Sequence, residues 1–221
     1  AIRTRLSAAV SAMQSLAPEG KRIILAVSGG SDSTGLMHVA AAALPDFANR
    51  VVVGFVDHGL REVDSEWELV LGHSRVLGLT ATRLVIPREE ALEAKHRGSL
   101  QAWARNARYA LLFELAKRVG ADRIATGHTR DDQAETFLLR LLRGAGLDGL
   151  GGIAPYRDSR DGIAVVRPLL DVSREQIRNA LGEMRVEWCE DPSNVDPRHL
   201  RVRIRQELLP LEADGVFNLL T

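Results

Sequence analysis

Residues 22–33 read Arg-Ile-Ile-Leu-Ala-Val-Ser-Gly-Gly-Ser-Asp-Ser, a short β-branched apolar run that stops dead at two glycines. After them Leu36, Met37, Val39, Ala40 and Leu44 recur at helical spacing, so the stretch is a strand, a glycine turn and a helix. The same unit repeats outward along the chain. Val51 to Asp57 (VVVGFVD) is a second buried strand, and Asp64 can cap a helix carrying Trp67, Leu69, Val70 and Leu77. Arg83 to Ile86 is a third strand closed by Pro87, and Ser99 caps a long amphipathic segment to Val119. Arg123 to Thr126 is a fourth strand, ending at Gly127 and His128 before a helix from about Asp131 to Arg143. Such alternation predicts an α/β fold: a doubly wound, mainly parallel five-stranded sheet with helices on both faces.

Beyond Arg143 the punctuation changes. Arg143 to Gly152 (RGAGLDGLGG) holds five glycines in ten residues and is read as a loop. Val165 to Leu170 is expected as the fifth strand, Ser173 to Leu181 as a capped helix, Asp191 to Asn194 as a turn, and Arg201 to Leu209 as a final Arg-rich helix. The expected organisation is one α/β domain over residues 1–170 and a short helical tail over 171–221, with no further carboxyl-terminal domain.

Composition narrows the function classes. The 221 residues carry 29 Lys+Arg and 29 Asp+Glu, so the net charge is zero and a polycation that binds nucleic acid by bulk charge is excluded. With 45% hydrophobic and 26% charged residues the chain is a folded globular protein, not a disordered one. Cys189 is its one cysteine, which forbids an intramolecular disulfide, a CxxC pair or a thiolate zinc site, and points to a cytoplasmic location. No apolar run reaches the ~18 residues of a membrane span, so no membrane partner is expected. Of the 29 basic residues only Lys21, Lys95 and Lys117 are lysine, which leaves 26 arginines with the planar fork that suits phosphate.

The chemistry gathers in two loops. Ser28-Gly29-Gly30-Ser31-Asp32-Ser33 lies between a buried strand and a helix start, where free amides, three hydroxyls and the helix dipole make an anion site. It is a phosphate cradle without the GxxxxGK[ST] of a Walker A loop or the GxGxxG of dinucleotide folds. A carboxylate inside an anion site opposes the phosphate unless a cation bridges them, so Asp32 points to Mg²⁺. The second loop, Gly127 to Glu135, holds Asp131, Asp132 and Glu135 at a helix start; Asp132 and Glu135 share a face, as do Asp131 and Glu135. Acids in a first turn also serve the helix dipole alone. Beside Asp32 they are expected to hold a cationic substrate or metal, with Asp131 as a further candidate metal ligand.

SGGxDS after the first strand is the signature of the PP-loop ATP pyrophosphatases, and the chain resembles their tRNA(Ile)-lysidine synthetase branch. The resemblance runs through VDHGLR (56–61), QAWARNARY (101–109), TGHTRDDQAETFLLRLLRGAGLDGL (126–150), RPLL (167–170) and WCEDPSN (188–194). It implies the strand order 3-2-1-4-5 and an enzyme that uses ATP and Mg²⁺ to adenylate C2 of the wobble cytidine of tRNA(Ile) with a CAU anticodon. The ε-amine of free L-lysine then displaces AMP. By the same resemblance Ser28 to Ser33 hold the pyrophosphate, with Asp32 on Mg²⁺, and Ala26, Val27 and Gly127 face the nucleoside. Asp132 and Glu135 bind lysine beside His128, Asp132 or His128 accepts its proton, and Arg105 and Arg108 activate the reacting centre. Arg143, Arg201, Arg203 and Arg205 are the expected tRNA contacts. Val202 stands where the family usually has asparagine, and Ile153 where methionine is common. A homodimer is compatible with this reading.

Two rivals differ in class. A PP-loop tRNA 2-thiolation enzyme would need paired cysteines or an iron–sulfur cluster, which one cysteine does not supply. A nucleotide-binding sensor would have no use for Asp32, Asp131, Asp132 and Glu135 around one triphosphate. Trp67, Trp103 and Trp188 are expected in apolar packing, His38 and His73 away from any ligand set, and Cys189 in a structural role.

Overall fold

A computed structural model describes residues 2–96, 100–159, 161–190 and 200–204. In chain order the elements are α1 (Ile2–Arg5), α2 (Ser7–Leu16), β1 (Arg22–Ala26), α3 (Ser31–Ala43), α4 (Phe47–Arg50), β2 (Val51–Asp57), α5 (Asp64–Val76) and β3 (Thr80–Val85). They continue with α6 (Arg88–His96), α7 (Leu100–Val119), β4 (Ala121–Thr126), α8 (Arg130–Leu142), β5 (Tyr156–Arg157), β6 (Ala164–Val166), α9 (Arg174–Glu183) and α10 (Leu200–Arg203).

The sheet order is β3-β2-β1-β4-β6-β5, parallel except for β5. The expected parallel arrangement and the 3-2-1-4-5 order are therefore present, with β6 as the expected fifth strand, but the strand count is six. The additional strand, Tyr156–Arg157, pairs antiparallel with β6 at the sheet edge. It is two exposed residues long and carries no apolar alternation, so nothing in its pattern announces it. The strand expected over Val165 to Leu170 stops at Val166, because Pro168 has no amide to continue a ladder, although Leu169 and Leu170 stay buried.

Both faces are covered, as buried strands require. One face packs α2, α3, α5 and α9 on β1 and β2 through residues such as Met13, Leu36, Met37, Val70 and Ile177. The other packs Leu112, Leu115 and Ala116 of α7 on Ile24 and Ile124. Gly54 permits that approach: a Cβ there would meet the Leu112 side chain at 2.8 Å. Ile177, Ala180 and Leu181 of α9 share the core with α3, so α9 is joined to the sheet domain by packing. Trp67 and Trp188 pack against this core, and the Trp67 ring lies 5.6 Å from that of Phe55.

Register places the functional loops. Ala26 at the end of β1 pairs with both Gly54 of β2 and Thr126 of β4. The chain reverses its direction of travel across the sheet between β1 and β4, and in open parallel sheets the crevice at such a reversal is where ligands collect. Of the remaining expectations, the Ser99 cap, the Asp191–Asn194 turn and the helix beyond Ile204, with Arg205, lie outside the described residues.

Candidate active site

At the carboxyl ends of β1 and β4 a cleft of about 410 Å³ opens. Ala26, Val27, Ser28, Gly30, Ser31, Asp32 and Ser33 form one wall, Gly127, His128 and Asp132 another, and Arg105, Arg108 and Tyr109 of α7 a third. The β1 loop turns because Gly29 adopts φ +86°, which other residues rarely do. Its hydroxyls hold the turn from inside: Ser33 Oγ donates to the Gly30 carbonyl at 3.0 Å and accepts from the Ser28 amide at 3.1 Å. From outside, the Cys189 amide donates to the Gly29 carbonyl at 2.9 Å, while burial pushes the Cys189 thiol up. Helix α3 starts at Ser31 with Gly30 as its cap, so its first amides face the cleft, a geometry that attracts anions.

The β4 loop lies directly against this cradle. A Cβ on Gly127 would sit 3.1 Å from the Asp32 carbonyl carbon and 3.2 Å from the Ser33 amide nitrogen. Thr129 caps α8, and Asp132 accepts its amide at 2.8 Å and its hydroxyl at 3.1 Å, both on Oδ2. His128 is oriented by a 2.8 Å contact between its Nδ1 and the Thr126 hydroxyl.

The decisive side chain is one that sequence reasoning missed. Arg174, the first residue of α9, puts its guanidinium among the acids: Nε to Asp32 Oδ2 at 3.1 Å, Nη2 to Asp132 Oδ1 at 2.6 Å, and Nη1 to Glu135 Oε1 at 2.7 Å. Its backbone amide donates to Asp131 Oδ2 at 2.9 Å. The side chain of Arg174 is 17% exposed and that of Glu135 is 1%. Burial works against the charge on Arg174, but Asp132 and Glu135 outweigh it and hold its pKa above the ordinary value. For Asp32 burial wins: it raises the carboxyl above its usual range although Arg174 pulls it down, and the Asp132 charge adds to the rise. The acids expected to meet an external cation thus already meet one from their own chain. The available signal was local: a basic residue in a helix's first turn opposes the dipole and needs a nearby anion. The capped helix after RPLL was foreseen, and Ser173 does cap it with Gln176, but not the direction of its first side chain.

Arg105 and Arg108 are both exposed at the cleft. Arg108 Nη2 lies 2.9 Å from His58 Nε2, so the ring nitrogen must accept, and His58 is a further residue missed in the VDHG segment. Arg143 is exposed at the end of α8, and Arg203 is exposed on α10; of Arg201 only the backbone is described. Among the described residues no three His, Cys, Asp or Glu side chains are grouped to hold a metal by themselves. A Mg²⁺ ion fits through Asp32 plus the phosphate oxygens of a nucleotide, the donor set such an ion prefers.

Residues 3–212 match the model of the PP-loop domain family. The chain belongs to that family. Among curated relatives of this PP-loop domain, it is 44% identical over 199 residues to a tRNA(Ile)-lysidine synthase of Ruegeria pomeroyi, covering 89% of this chain and 46% of the relative. It is 40% identical over 206 residues to the enzyme of that name from Bordetella pertussis, covering 90% of this chain and 62% of the relative. It spans about half the length of the curated relatives it matches. Of solved structures, the U34-tRNA thiolase NcsA from Methanococcus maripaludis, with its 4Fe–4S cluster, superposes with a TM-score of 0.75 at 12% identity. That match covers 96% of this chain and 75% of the thiolase. The NH3-dependent NAD synthetase of Campylobacter jejuni gives a TM-score of 0.59 at 15% identity, over 98% of this chain and 85% of that one. At such identities these two share the fold alone.

Proposed function

We propose that this PP-loop domain carries out lysidine formation: adenylation of C2 of the wobble cytidine of a CAU-anticodon tRNA(Ile), followed by attack of L-lysine. The observation that carries the reading is the meeting of the Ser28–Ser33 cradle with Asp132 in one cleft, opposite Arg105 and Arg108, with Glu135 buried behind it on Arg174. The names of relatives at 40–44% identity point the same way.

In the first step the cytidine O2 attacks the α-phosphorus of ATP, a P–O bond forms, and pyrophosphate leaves with the electrons of the α–β bridge. Ser28, Ser31 and Ser33, with the first amides of α3, receive the pyrophosphate. Asp32 would hold Mg²⁺ against the phosphates, which when bound neutralises their charge. Arg105 and Arg108 offer fixed positive charge where negative charge develops. In the second step the lysine amine, having lost a proton, forms the C–N bond at C2 as the C2–O bond breaks and AMP leaves. Three carboxylates around one guanidinium retain excess negative charge, which favours an ammonium group beside Arg174. Asp132 Oδ2 accepts from Thr129 and Oδ1 from Arg174, and the proton released by the amine is assigned to Asp132 or His128, both of which line the cleft. Arg143, Arg201, Arg203 and Arg205 remain the proposed contacts to tRNA phosphates.

Against thiolation, the single cysteine supplies neither a persulfide pair nor a cluster. The reading is tested by pyrophosphate release. With ATP and Mg²⁺, release should require CAU tRNA and proceed without lysine; release that is independent of tRNA, or that needs lysine first, contradicts the order of steps.

A further inference from the structure

Beside the cleft, arginine and tyrosine interleave across four segments of the chain. The guanidinium carbons of Arg105 on α7 and Arg157 on β5 each lie 5.3 Å from the centroid of Tyr109, and that of Arg123 on β4 lies 5.6 Å from Tyr156. Beneath them Arg167 is only 4% exposed and donates to the Ala154 carbonyl at 2.5 Å. Its Nε is buried without a hydrogen-bond partner. Burial lowers the Arg167 pKa, and Arg157 and Arg105 push the same way, a measure of how closely positive charge is gathered here. Two carboxylates lie on the flank: Asp158 accepts the Tyr156 hydroxyl at 2.7 Å, and Asp122 lies 3.2 Å from Arg123.

The arrangement is continuous with the reaction cleft, because Arg105 and Tyr109 line it while Tyr156, 39% exposed, and Arg157 stand on the outermost strand. A guanidinium held over a tyrosine ring loses little further freedom on binding. It offers its outer face to an unpaired base and its edge to a phosphate. Such interleaving of cations and rings is the chemistry of single-stranded nucleic acid, whereas an acidic protein surface would need the cations alone.

We propose that the band from Arg105 and Tyr109 to Tyr156 and Arg157 is the path of a single-stranded RNA loop, one of whose bases enters the cleft. This rests on the RNA-modifying reading above and adds where the RNA lies, on the β5 edge and not only near Arg143 and α10. The two-residue strand β5 then has a purpose: it places Tyr156 and Arg157 beside the mouth of the cleft.

The test measures binding of a labelled anticodon stem-loop with CAU in its loop, and of the same stem as an uninterrupted duplex, to the wild type and to Arg157→Glu, Arg157→Lys and Tyr156→Ala. Arg157→Glu should weaken loop RNA about tenfold and reduce the salt slope by about 0.7. Tyr156→Ala should weaken it comparably, Arg157→Lys less, and ATP affinity should stay at the wild-type value. Unchanged loop affinity in both Arg157→Glu and Tyr156→Ala, or an equal loss for the duplex, overturns the band. A wild type that binds ATP but no loop RNA overturns the RNA reading itself, and is distinguished because the unmodified protein is already silent.

Discussion

Replacing Arg174 by alanine removes the cation that Asp32, Asp132 and Glu135 share, at 3.1, 2.6 and 2.7 Å. Breaking a buried ion pair by deleting one partner costs about 3–5 kcal/mol, because the other charge stays behind unpaired. Asp32 is 24% exposed and water will take part of Arg174's place there. The lower end, about 3 kcal/mol, is therefore the working value, and at about 2–4 °C per kcal/mol it lowers Tm by about 6–12 °C. The pH dependence has a definite sign. Arg174 lowers the Asp32 pKa in the wild type, so without it the carboxyl rises further. The deficit is then full at neutral pH and shrinks on acidification, as the stranded Asp32 carboxyl takes up a proton. Thermal melts of wild type, Arg174→Ala and the volume-conserving Arg174→Met between about pH 7 and about pH 4 measure both effects. Millimolar guanidinium, but not sodium, should recover part of the loss in Arg174→Ala by occupying the vacated position. A Tm within about 2 °C of wild type at neutral pH, or a deficit that grows on acidification, refutes the role assigned to Arg174.

Other expectations follow from the same geometry. Asp32 has a raised pKa, so its contribution to stability is fully present below the ordinary carboxylate range and is lost as pH rises through the raised value. Asp32→Asn should consequently melt no lower than wild type at pH 7 while losing pyrophosphate release, and a clear fall in its Tm at pH 7 would contradict the burial argument. Gly127→Ala drives a methyl to 3.1 Å from the Asp32 backbone. Isothermal titration should show ATP affinity reduced by about 1–3 kcal/mol, the usual range for overpacking, and an unchanged affinity would mean that the cradle can yield there. Gly54→Leu would intrude on Leu112, already 2.8 Å from a Cβ at that position, and should shift α7 with Arg105 and Arg108. It is expected to lower both Tm and the rate of adenylation, whereas an effect on neither would mean that α7 has room to move.

The parts of the fold that were legible in the sequence are those set by local pattern. RIILAVSGGSDS carries its own strand, turn and helix start, and apolar runs of the right length marked β2 and β4. Edge structure was not legible, since β5 is held by its partner strand and has no pattern of its own. At the site, the glycines, hydroxyls and acids were visible because they cluster in two short segments. Arg174 was not, because it lies 142 residues from Asp32 and 42 from Asp132, and only the packing of α9 on α3 brings them together. That packing depends on Gly35, where a Cβ would stand 2.5 Å from Ile177. The zero net charge proved to be an average of opposed local fields, an acidic pocket closed on Arg174 and an arginine–tyrosine band beside it.

The most direct test of the proposed activity follows labelled L-lysine into RNA. The protein, ATP, Mg²⁺ and tRNA(Ile) with a CAU anticodon should give one lysine per tRNA, attached at the wobble cytidine, with one AMP released for each. Failure to label this tRNA by a folded, ATP-binding protein, or equal labelling of a tRNA lacking the wobble cytidine, would contradict it.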